Sequence, residues 1–87
     1  MLVKIDINKL KSGKIQISML RASQSSGPVQ TYPSPAEAIP VLLALGIPAT
    51  TINRQLEILA DIGPKELLHF GQWDVADDVL GAHRFHP

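Results

Sequence analysis

Val3, Ile5 and Ile7 alternate with Lys4, Asp6 and Asn8, and Ile15, Ile17 and Met19 alternate with Gln16, Ser18 and Leu20. A period of two places one set of side chains on each face of a pleated chain, so the pattern predicts two half-buried strands. Between them, Lys9-Leu10-Lys11-Ser12-Gly13-Lys14 supplies a glycine able to take positive φ, which predicts an antiparallel hairpin with its lysines on a solvated turn. Small polar residues over 22–28 favour a turn over packing. Val29-Gln30-Thr31-Tyr32 then has the β-branched and aromatic content of a short third strand, and its flanking Pro28 and Pro33 suit a sheet edge.

Ser34-Pro35-Ala36-Glu37 has the form of a capping box with proline at the first helical position, so a helix is expected to start there and to end at Gly46. Pro40 lies too deep for the first-turn exemption and is expected to kink this helix or shift its start. A second helix is expected from Ala49 to Ile62, with Ile52, Leu56 and Leu59 on one face and Asn53, Arg54, Glu57 and Asp61 largely elsewhere, stopped by Gly63-Pro64. Glu66 to Phe70 reads as an optional short strand and Gly71-Gln72-Trp73 as a turn. Asp74 reads as the N-cap of a last helix, with Asp77 and Asp78 where the helix dipole favours negative charge.

The expected fold is α+β, an N-terminal antiparallel β-hairpin with an optional third edge strand packed against two to three short helices, in the order β-β-(β)-α-α-(β)-α. At 87 residues the chain has room for one hydrophobic core, so residues 1–87 are read as one small domain. Its longest apolar stretch, Ala38 to Ile47, is about half the length that spans a bilayer and contains Pro40 and Gly46. Met1 to Asp6 lacks the charged and then continuously apolar pattern of a signal peptide. Cysteine is absent, which excludes thiol catalysis and thiolate metal sites and fits a reducing compartment, so a cytoplasmic protein is expected. Lys plus Arg and Asp plus Glu each number 8, so no global basic field exists to hold phosphates.

From Ala38 to Leu45 every residue is apolar or proline. A surface helix normally shows an apolar stripe, so this one is expected to be covered on nearly all sides. Either the sheet and the other helices wrap it, or a second chain completes one face through Leu42 with Leu45 or Ile39 with Leu43. The partner would be another protein or a second copy of the chain.

Leu45-Gly46-Ile47 followed by Ile52, Leu56, Leu59 and Gly63 resembles the helix-turn-helix segment of winged-helix repressors. The resemblance implies a small DNA-binding transcription regulator with 49–62 as its recognition helix. Thr50, Thr51, Asn53, Arg54 and Gln55 would then face DNA, where hydroxyl, amide and guanidinium groups read base edges or phosphates.

Catalytic groupings are weak by comparison. His83 and His86, with Asp77 and Asp78 upstream, have the residue types of a metal site, but such a site takes at least three ligands and an ordered second shell. Asp77 and Asp78 diverge by about 100° on a helix and would not share a substrate. His69, beside Phe70, reads as a partly buried, hydrogen-bonded histidine, and Trp73 as a core anchor. Ser23, Ser25 and Ser26 lack the glycine context of an activated serine. The expectation is a non-enzymatic interaction or self-associating module with no metal, no cofactor and no membrane segment.

Overall fold

The computed structural model describes residues 1–21, 27–63 and 66–83. Four strands and three helices follow in the order β1 (Leu2–Lys9), β2 (Ile15–Arg21), β3 (Val29–Tyr32), α1 (Pro35–Ala44), α2 (Ala49–Asp61), β4 (Leu67–Asp74) and α3 (Asp77–Ala82). The α+β fold thus has a four-stranded antiparallel sheet, ordered β3-β2-β1-β4. Both optional strands exist, and they form its two edges.

Alternation along β1 and β2 places Val3, Ile5, Ile7, Ile15, Ile17 and Met19 on one face, and all six are buried. Leu68 and Phe70 of β4 join them, and Ala38, Val41, Leu42, Leu45, Ile47, Ile52 and Leu59 from the first two helical segments, with Val75 and Leu80 from the C-terminal one, complete one continuous core. Among the described residues no polar or charged side chain is buried. The hairpin turn closes through Gly13 N–H to the Leu10 carbonyl and Leu10 N–H to the Lys14 carbonyl, with Gly13 at φ 87°.

Several helix ends differ from expectation. Ser34 occupies the N-cap of α1 with extended backbone, but its side chain makes no capping bond, so the capping box is not formed. Pro35 does stand at the first turn. Pro40 neither interrupts α1 nor shifts its start. It lies on the exposed side, so the Ala36 carbonyl that loses its helical donor is also on an exposed residue. At the other end Gly46 N–H reaches the Leu43 carbonyl and Ile47 N–H the Leu42 carbonyl, a Schellman ending that requires the left-handed φ of 96° at Gly46.

The end of α2 is secured differently. Gly63 lacks a left-handed φ, and Ile62 turns the chain out in extended conformation. Lys9 Nζ donates to the carbonyls of Leu59 and Ile62, both at 3.4 Å, so a lysine read as solvated instead ties the hairpin to the helix C-terminus, where positive charge is favoured.

The expected turn at Gly71-Gln72-Trp73 is instead the second half of β4. Ile5 stands opposite Gly71 and Asp6 opposite His69, so one extra β4 residue forms a bulge there. Gly71 takes φ 84°, a conformation that bulges of this kind assign to glycine. Trp73 returns to the inner face opposite Val3, half-buried against the core as an anchor, and its indole N–H donates to the Phe70 carbonyl. Asp74 does not cap the last helix, whose N-cap is Ala76. It lies 2.7 Å from the Met1 nitrogen instead. Residues 22–26, and with them Ser23, Ser25 and Ser26, lie outside the described residues, as do Pro64, Arg84 and His86.

Candidate functional site

Helix α1, apolar throughout from Ala38 onward, acquires two different faces by docking on the sheet. Ala38, Val41 and Leu42 point into the core, followed by Leu45 and Ile47 beyond the helix end. Ala36, Pro40, Leu43 and Ala44 are exposed, at the i, i+4, i+7, i+8 spacing of a single stripe. The helix is therefore covered on one side and open on the other, not enclosed. Leu42 and Leu45, expected as candidate docking residues, are 0% and 2% exposed and belong to the core. Leu43, at 46%, is open to solvent, and Ile39 is half-buried against the core. Of the two candidate pairs, Ile39 with Leu43 is the accessible one.

On α2 the structure separates the candidate base-reading residues. Thr50, Asn53 and Arg54 are exposed and share one side of the helix, whereas Thr51 and Gln55 are half-buried. Glu57 and Asp61 continue that exposed side one and two turns further on. Arg54 is the one cation of α2, and five of the eight cations, Lys4, Lys9, Lys11, Lys14 and Arg21, belong to the hairpin, accompanied only by Asp6.

The outer face of the sheet is mostly polar. Ser18 of β2, Asp6 of β1 and His69 of β4 form one row across three strands. His69 Nδ1 lies 2.6 Å from Asp6 Oδ1, and the Ser18 hydroxyl donates to the Asp6 backbone carbonyl at 3.4 Å. His69 is hydrogen-bonded as expected but exposed, a correction that follows from its place on the open face. The row contains the residue types of a serine-hydrolase set in the wrong order. A nucleophile is activated when the imidazole stands between hydroxyl and carboxylate, and here the aspartate is in the middle. Neither this pair nor the Lys9 tie was found in the sequence. For Asp6 and His69 the only local signal was an outward position in a period-two pattern, whereas Lys9 continues the inward parity of Val3, Ile5 and Ile7 opposite buried Ile15.

At the far side, Gln30, Tyr32, Val41, Ala82 and His83 line an open cleft of about 260 Å³. Burial pushes the Tyr32 phenol above its ordinary pKa. Asp77 and Asp78 are exposed in the first turn of α3. No three His, Asp or Glu residues come together in metal-binding geometry among the described residues. No helix among them is long and apolar enough to cross a membrane. Comparison with protein-family models, curated proteins and solved structures finds no match.

Proposed function

We propose that the protein is a non-enzymatic interaction module that docks another protein, or a second copy of itself, on the outer stripe of α1. The observation that carries this reading is the exposure of Leu43 on a stripe with Ala36, Pro40 and Ala44, beside half-buried Ile39. Apolar surface held in water is unfavourable, and the stripe carries no charged residue; Glu37 lies beside it in the first turn. The small residues at 36 and 44 let a partner backbone approach while Leu43 supplies apolar contact area. A photo-crosslinking residue placed at position 43 tests the reading in cells. It should trap a second copy or one discrete protein, with the adduct lost when the same residue is placed at exposed Thr31. Equal, diffuse labelling from both positions would sink the proposal.

A second reading, DNA recognition by α2, draws support from the shared exposure of Thr50, Asn53 and Arg54. It ranks behind the first because Glu57 and Asp61 occupy the same side and would face phosphates. Salt-dependent retardation of duplex DNA that weakens in Arg54→Ala would favour it. No shift with any duplex at low salt would end it.

A further inference from the structure

The hairpin tip, the start of α1 and the later turns of α2 enclose a groove of about 310 Å³. Its walls are apolar: Ile15 from the sheet, Pro35 from α1, and Leu56, Leu59 and Ala60 from α2. Ile15 and Leu59 are fully buried and form the floor, while Leu56 is half-buried and Pro35 and Ala60 are exposed. Pockets for small molecules begin at about 300 Å³, so the space suits a small ligand.

Among the described residues, Lys9 is the single titratable one lining the groove. Its ammonium has three donors, and two of them reach the Leu59 and Ile62 carbonyls at 3.4 Å, near the outer limit of hydrogen bonding. One donor remains, on a charge held by weak bonds. Lys11 and Lys14 are exposed on the same turn, against Asp61 next to Ala60 on the helix. The wall therefore combines a continuous apolar surface with one cation at its margin. A ligand complementary to it has an apolar body and a single negative charge. A polyanion would find one ammonium in contact and no polar wall for its remaining charge, and an amine would meet Lys9 with like charge.

We propose that this groove binds a small monocarboxylate with an apolar body, an acyl acid of the size of octanoate, with the carboxylate on Lys9 Nζ and the chain over Leu56 and Leu59. A charge-assisted bond to the ammonium supplies orientation, and covering Leu56 supplies apolar burial. The site is separate from the outer stripe of α1, so its failure leaves the interaction reading untouched.

Titration of the ¹⁵N-labelled protein with sodium octanoate, followed by amide chemical shifts, tests the proposal. Saturable shifts at Gly13, Leu56 and Ala60 are expected at millimolar concentration, with octylamine and octanol producing markedly smaller ones. Lys9→Met keeps the aliphatic stem and removes the charge, and should weaken octanoate binding about tenfold, as loss of one hydrogen bond to a charged group predicts. Lys9 also supports the end of α2, so Ala60→Phe provides a second variant that fills the groove without touching the ammonium and should abolish binding. Absence of saturable octanoate shifts, equal shifts with octanol, or binding unchanged in Ala60→Phe would each overturn the assignment.

Discussion

His69 Nδ1 meets Asp6 Oδ1 across the β1–β4 pair, between residues 63 positions apart in the chain and immediately beside the β4 bulge. With the carboxylate ionised, the ring N–H donates and the imidazole is held against the sheet. The pair therefore secures the register at the point where the ladder is irregular. Because the imidazole is exposed, its coupling with Asp6 is expected to be small, about 0.2–1 kcal/mol, and to shrink with added salt. A double-mutant cycle of Asp6→Ala and His69→Ala by urea denaturation at low and high salt measures it. Strict additivity at low salt would show that the contact contributes nothing.

Lys9 is expected to matter more to stability than the other tip lysines. Its ammonium neutralises carbonyls at the end of α2, so Lys9→Met should cost about 0.3–1 kcal/mol. Lys11→Met, at an exposed position of the same turn, should stay within about 0.5 kcal/mol of the parent. Equal effects from the two substitutions in urea denaturation would contradict the tie between hairpin and helix.

Adjacent leucines on α1 should separate folding from docking. Leu42 is completely buried, and Leu42→Ala should destabilise by about 2–5 kcal/mol through lost burial and a residual cavity. Leu43→Asp should leave thermal stability within about 0.5 kcal/mol while abolishing association with the protein trapped from position 43, or the concentration-dependent mass increase where that protein is a second copy. A large loss of stability in Leu43→Asp would place that side chain in the core instead.

Tyr32 predicts a specific alkaline response. Its phenol is raised above the ordinary value of 10.0 by burial, so the folded state holds the proton more tightly than the unfolded chain. The associated stability is complete below the unfolded pKa and is lost as pH rises through 10 toward the folded value. Urea midpoints measured through this range should fall less steeply in Tyr32→Phe than in the parent. Parallel profiles would show that burial of the phenol has no energetic weight.

Local signals carried the reading of the hairpin, the third strand, the start of α1 and the glycine ending at Gly46, since each depends on residues close in sequence. The length of β4 was hidden because the bulge breaks its alternation. Leu68 and Phe70 face inward on even positions and Trp73 on an odd one, so the pattern looks like a strand followed by a turn. The partners of Lys9 and Asp6 were illegible for another reason: pairing β4 with β1 and laying α2 against the hairpin are decisions of the whole chain. From Ala38 onward the sequence of α1 was apolar all round, and only docking distinguished Leu42 from Leu43. The optional strands, by contrast, needed only a partner edge to become real.

The margins of the sheet bear on how the molecule behaves when crowded. β3 is four residues long and flanked by Pro28 and Pro33, and β4 changes side-chain parity at Phe70–Gly71. A newcomer strand finds a short template on one side. On the other it must answer an extra residue midway and follow a sharpened twist. Fibrillar growth by strand addition is thus obstructed at both ends, and the chain can keep apolar residues exposed on a helix without the sheet becoming the place where copies accumulate.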